Sequence, residues 1–136
     1  MSQLKGIRWG WLKTMYAITI LLGCGYGLGM ILAPEQMKSI SGSVCDPIPY
    51  GILGSVFLAF GLLAILGLRA PLKFAPVLLL QLAYKVLWCA AVVLPLLVAG
   101  RFPAGHTTTV VLFALTIIGD FIAIPFGYVF AKETDA

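Results

Sequence analysis

Charged side chains are scarce in this chain. Of 136 residues, only nine are Lys or Arg and five are Asp or Glu, whereas 61 % are hydrophobic and the mean hydropathy is +1.05. An ordinary soluble domain carries about 25 % charged residues. The shortage of charge therefore excludes that class and predicts that lipid is the main solvent of the protein.

Cysteine and histidine are scarce as well, with three Cys and one His. The cysteines show no CxxC spacing and no cluster with histidine, which argues against a metal site and a redox-active thiol pair. Cys45 has no second loop cysteine to pair with. The basic residues form no patch with interleaved aromatics, so nucleic acid is not an expected partner. The sequence assigns no catalytic residue, and it leaves open both the identity of any cofactor and whether the protein is an enzyme.

Long apolar runs dominate what remains. They predict four helices near residues 10–33, 48–68, 74–99 and 106–131, each exceeding the roughly 20 residues that cross a bilayer. Strands are excluded because backbone polar groups inside lipid must be satisfied within the segment or in a closed barrel, whose alternating pattern is absent. The expected fold is all-α: one transmembrane domain over 1–136, a four-helix bundle with up-down antiparallel topology.

The polar connection 34–47 is long for a link between helices, so we predict an interfacial loop with a short helix at 35–40. Basic residues near the loops set the orientation of the bundle. Six fall on one side and two on the other: Lys5, Arg8, Lys13, Arg69, Lys73 and Lys132 against Lys38 and Arg101. This asymmetry predicts that both termini lie in the cytoplasm.

Glycines recur at four-residue intervals in the first helix, as Gly23 with Gly27 and Gly25 with Gly29. Small residues at this spacing allow the backbone of a neighbouring helix to approach closely. The neighbour could belong to the same chain, to a second copy or to another membrane subunit, in addition to the surrounding lipid.

Two charges interrupt the apolar runs, Lys85 in the third helix and Asp120 in the fourth. A lone charge at the bilayer centre costs about 2.5–3.5 kcal/mol on insertion scales, so each needs a partner or water. Lys85 lies thirteen residues before Val98, and Asp120 lies thirteen residues after Thr107. In an antiparallel hairpin the two charges reach the same depth, and we expect them to pair.

Further polar groups accompany this pair at helical spacing: Gln81, Tyr84 and Trp88 beside Lys85, and Thr116 beside Asp120. Pro125 lacks the N–H that would bond to the carbonyl of Phe121, which predicts a kink just after Asp120. Glu35 is the candidate residue at a pocket mouth. Together these residues form a candidate buried polar centre.

Three interpretations of the centre stay open. It could be an ion pair that fixes the register of two helices. It could lie beside a cavity and bind or protonate a hydrophobic small molecule such as a quinone, sterol or other isoprenoid. It could also be a relay for proton-coupled transport, which with four helices demands a dimer.

The glycine-rich first helix running into GLGMILAPEQM, followed by PYGILGSVFLAFGLLAILGLRAP, resembles the DoxX-like group of small four-helix membrane proteins. The resemblance implies an integral protein of the prokaryotic cytoplasmic (inner) membrane, and some relatives are linked to quinol oxidation or membrane redox complexes. It assigns no role to Lys85 or Asp120.

Two function classes follow. The first is an accessory or structural subunit of a larger membrane complex, which could be a redox or respiratory one; small size and small-residue helix faces favour it. The second is a binding or catalytic protein for a hydrophobic small molecule. A protein of the second class should have a cavity that reaches Lys85, Gln81 or Tyr84.

Overall fold

The computed structural model describes residues 6–41, 46–102 and 104–133, and every regular element in those ranges is helical. The elements are α1 (Trp9–Leu32), α2 (Pro34–Ser41), α3 (Pro47–Arg69), α4 (Ala75–Trp88), a π-helical turn (Cys89–Val93), α5 (Leu94–Val98), a 3-10 turn (Ala104–His106), α6 (Thr107–Ala123) and α7 (Phe126–Val129). The predicted all-helical class is confirmed. Cys45 lies outside the described residues.

Three helical segments are long and apolar enough to cross a membrane: Trp9–Leu32, Pro47–Arg69 and Ala75–Val98. Thr107–Ala123 is a shorter apolar helix. These lengths indicate an integral membrane protein. The polar connection contains a short helix as expected, and α2 begins one residue earlier than predicted, at Pro34.

The last apolar segment ends earlier than the predicted 106–131. α6 stops at Ala123, Ile124 has an extended backbone with ψ of 125°, and α7 starts only at Phe126. Proline disfavours the helical conformation of the residue before it, so Pro125 forces Ile124 out of the helix. The predicted kink is therefore a break, and it leaves α6 with 17 residues, about 25 Å long.

A second proline widens the third apolar segment without ending it. The Leu94 N–H bonds to the carbonyl of Cys89, five residues back, within the π-helical turn. Pro95 has no N–H, and its ring excludes the carbonyl four residues earlier, so a widened turn accommodates it. Helical structure continues to Val98.

The α1–α3 interface is built on glycine. A Cβ atom placed on Gly23 would lie 2.7 Å from the carbonyl oxygen of Phe57, and one on Gly27 would lie 2.5 Å from the backbone nitrogen of Leu58. The predicted close approach at Gly23 and Gly27 is confirmed, and the neighbour is α3 of the same chain. Gly25 has no atom within 4 Å of its Cβ position among the described residues.

One end of the molecule is closed by a packed core. Its members come from α1, α3, α4, α6 and the residue after α6: Leu12, Met15, Tyr16, Ala64, Leu78, Leu82, Ala123 and Ile124. The Tyr16 hydroxyl donates a hydrogen bond of 2.7 Å to the carbonyl of Pro71, in the turn between α3 and α4. A cavity between these helices lies beyond this core, toward their other ends.

Candidate functional site

A cavity of about 370 Å³ lies between α1, α3, α4 and α6. Along α1 its lining runs from Thr19 to Met30, a stretch of twelve residues that is roughly 16 Å long. A pocket of this volume is of the size that holds a small organic molecule. Its walls are mostly apolar: Thr19, Leu22, Gly23, Tyr26, Met30, Leu53, Phe57, Phe60, Gln81, Tyr84, Lys85, Trp88, His106, Thr109, Leu112 and Phe113.

Aromatic rings form a continuous wall around the cavity. The centroid of the Tyr84 ring lies 5.5 Å from that of Phe60 and 6.3 Å from that of Phe113. Phe113 in turn meets Trp88 edge-on, with centroids 5.2 Å apart. These spacings are typical of edge-to-face aromatic contacts, so the rings support one another. The wall joins α3, α4 and α6.

The Lys85 side chain ends among these rings. It is only 3 % exposed, and its Nζ donates a hydrogen bond of 2.9 Å to Oγ1 of Thr116. The same nitrogen lies 5.2 Å from the ring centroid of Phe113 and 5.9 Å from that of Tyr84. Ring faces attract a cation at this distance, which offsets part of the cost of burying the ammonium.

A second polar contact lies one turn away on α4. The Thr19 hydroxyl is 2.8 Å from the carbonyl of Met15 and 3.1 Å from Oε1 of Gln81. Both Thr19 and Gln81 are buried. This contact ties α1 to α4 at the end of the cavity nearest the packed core.

Asp120 is placed differently. It is fully buried, and neither carboxylate oxygen has a hydrogen-bond partner among the described residues. The expected direct contact with Lys85 is replaced by the Lys85–Thr116 bond, since Thr116 lies one helical turn before Asp120 and intercepts the amine. Both charges are buried, and Thr116, which binds the Lys85 amine, lies one turn from Asp120 on α6.

The structure thus brings together Gln81, Tyr84, Lys85 and Trp88 as cavity walls, with Thr116 bonded to Lys85. Asp120 stands behind this group and is not a lining residue. Glu35 is exposed in α2 and lies outside the lining as well.

Sequence reasoning did not find the phenylalanines of the wall or His106. The signal for the phenylalanines was weak: Phe57 and Phe60 lie three residues apart, which places them on one side of α3, but the same spacing describes any apolar helix face. His106, the residue just before α6, is half-buried and lines the cavity.

The arrangement can surround an apolar molecule with rings and offer N–H groups to a polar atom of that molecule. No protein-family model, known protein or solved structure significantly matches this chain.

Proposed function

We propose that the protein binds a lipid-soluble small molecule in the cavity between α1, α3, α4 and α6. The observation that supports this proposal is that the cavity reaches Lys85, Gln81 and Tyr84 together. An ion pair that only fixed helix register would need no space beside it. Quinones, sterols and other isoprenoids are suitable candidates, because each combines a large apolar body with few polar atoms.

The proposed setting is a four-helix antiparallel bundle with both termini in the cytoplasm, in a prokaryotic cytoplasmic membrane. The excess of basic residues beside the termini and the α3–α4 turn supports the orientation. The resemblance to the DoxX-like group supports the setting. In this proposed arrangement, α6 is the fourth membrane-spanning helix. It has only 17 residues, and local thinning of the bilayer accommodates such a short segment.

Ligand binding can be tested by filling the cavity. Leu112 lines it, whereas Leu115, one turn away on α6, is 60 % exposed on the outer surface. Wild type, Leu112→Trp and Leu115→Trp are purified in mild detergent from the expressing membrane, and bound small molecules are measured by native mass spectrometry. We expect wild type and Leu115→Trp to retain an apolar molecule and Leu112→Trp to lose most of it.

Equal amounts of bound small molecule in all three proteins would contradict the proposal. Such a result would indicate lipid or detergent adsorbed on the surface, whose amount does not depend on the volume of the cavity. The Leu112→Trp protein must also be folded, which an unchanged elution volume in size-exclusion chromatography shows. The absence of the bound molecule then reports that the cavity is filled.

An accessory subunit is the second candidate function, and the outer face of α3 favours it. Gly51, Ser55 and Ala59 line one open groove at four-residue intervals, and no described atom lies within 4 Å of the Cβ position of Gly51. Such a face suits close packing with another transmembrane helix. The same preparation decides this point, since an accessory subunit should copurify with a partner protein in stoichiometric amount.

A further inference from the structure

Building on the proposed function, we infer that the cavity receives its ligand polar end first, and that this end is a hydrogen-bond acceptor, a carbonyl or carboxylate oxygen, and not an ammonium group. The inference depends on which donors and acceptors the buried end of the cavity still has to offer.

Unused donors are concentrated at that end. A lysine ammonium has three N–H donors and no acceptor. One donor of Lys85 is used on Thr116, which leaves two. The Gln81 carboxamide accepts from Thr19 through its oxygen, so its two N–H donors are not consumed by that contact. The Asp120 carboxylate, whose oxygens have no hydrogen-bond partner among the described residues, stands behind the wall and does not line the cavity, so the unused N–H groups of Lys85 and Gln81 belong to residues that do.

Few acceptors face the cavity at that end. Oγ1 of Thr116 accepts from Lys85 and donates 2.9 Å to the carbonyl of Phe113. Oε1 of Gln81, at 3.1 Å, shares the single proton of the Thr19 hydroxyl with the carbonyl of Met15, at 2.8 Å. The Asp120 carboxylate is fully buried behind the cavity wall. A donor-only head group would find only the Tyr84 hydroxyl to accept from it on that part of the described lining, and it would also meet the positive charge of Lys85.

The positions of Lys85 and Gln81 also predict the orientation of the ligand in the cavity. Thr19 and Gln81 lie at the end next to the packed core, whereas Met30 and Leu53 lie near the opposite ends of α1 and α3. Between them stands the aromatic wall, with Trp88 one turn beyond Lys85 on α4. A tail that leaves an acceptor head bound at Lys85 therefore passes Trp88 on its way to the outer end, where His106 and Thr109 also line the cavity.

Trp88 provides the readout. The other tryptophans, Trp9 and Trp11, are exposed near the start of α1 and are replaced by Phe, which leaves Trp88 as the sole reporter. Three probes share one undecyl tail with a bromine at its middle carbon, which lies about one helical turn from the head and quenches tryptophan on contact, and they differ in the head: carboxylic acid, methyl ester and amine. Each is titrated into the protein in neutral maltoside detergent, and Trp88→Phe in the wild-type background gives the non-specific baseline.

We expect the acid or the ester to quench Trp88 at concentrations about tenfold or more below those the amine needs, which is the factor that an unpaired buried polar group costs. The acid and ester arms separate a charged head from a neutral one. In Lys85→Met/Asp120→Asn, which removes both charges together, the preference over the amine should fall at least severalfold.

An amine that quenches as strongly as the acid and the ester would overturn the inference while leaving a binding cavity in place. Quenching that never exceeds the Trp88→Phe baseline with any head group would overturn the proposed function itself.

Discussion

α1 meets its neighbouring helices in two opposite ways. Against α3, Gly23 and Gly27 let the backbones touch, so that a single added Cβ atom would collide with the facing main chain. Toward α4 and α6, large side chains keep the helices apart and leave a cavity of about 370 Å³. In lipid, where apolar surface gains nothing by leaving the solvent, glycine closes one interface and aromatic rings hold the other open.

The difference shows where each kind of sequence change will be felt. At the closed interface, between α1 and α3, an added side-chain atom collides with the facing backbone, so the volume of the substituted side chain matters most. At the open side, where α1 faces the cavity, α4 and α6, space is available. There a substitution destabilises the protein mainly when a buried polar group loses its partner. Three sets of variants test this division, from the largest expected effect to the smallest.

The largest effect should follow from breaking the balance of charge at the open side. Lys85→Met leaves Asp120 buried without its countercharge, and Asp120→Asn leaves Lys85 in the same position. Removing one member of a buried pair costs about 3–5 kcal/mol. We expect each single variant to lower the thermal stability in detergent strongly, and the double variant to lower it by less than the sum of the two.

Lys73→Met serves as the control for loss of a lysine, because Lys73 is exposed in the turn between α3 and α4. Its effect should stay within about 0.5 kcal/mol. Additive losses in the double variant would show that Lys85 and Asp120 do not interact, despite their common burial.

At the closed interface, the addition of one methyl group should be enough to lower the thermal stability. Gly27→Ala places a Cβ atom 2.5 Å from the backbone nitrogen of Leu58, and overpacking of this kind costs about 1–3 kcal/mol. Gly25→Ala lies in the same helix with open space around it and should gain up to about 1 kcal/mol, since alanine favours helix more than glycine does. Thermal stability in detergent, followed by size-exclusion chromatography, measures both. Equal effects would contradict the assignment of this interface.

Much of this architecture could be predicted from the sequence, because it follows from length and small-residue spacing. The apolar runs predicted the three long helices to within a few residues, and the glycine interval predicted two possible packing pairs, one of which is Gly23 and Gly27. The interval could not tell that stripe from Gly25 and Gly29, because both have the same spacing. Only the position of α3 separates them.

The site was harder to predict, because its geometry depends on how four helices are set against one another. Helical spacing grouped Gln81, Tyr84, Lys85 and Trp88, and these residues share the cavity wall. Matching depth suggested that Lys85 meets Asp120, but depth cannot rank two acceptors one turn apart, and the amine bonds to Thr116. The break before Pro125 was foreseen only as a kink, since the sequence does not show whether the helix resumes.

The smallest effect should come from a single hydrogen bond at the buried end of the cavity. Thr14 and Thr19 both bond to the carbonyl four residues earlier, at 2.8 Å, but Thr19 is buried and also contacts Gln81, whereas Thr14 is exposed. Thr19→Val keeps the shape and strands the Gln81 oxygen, which should cost about 1 kcal/mol or slightly more. Thr14→Val loses only its local bond and should be nearly neutral in thermal stability. A loss of equal size in both would mean that the Thr19–Gln81 contact contributes nothing to holding α1 against α4, and that the open side is stabilised by its rings and charges alone.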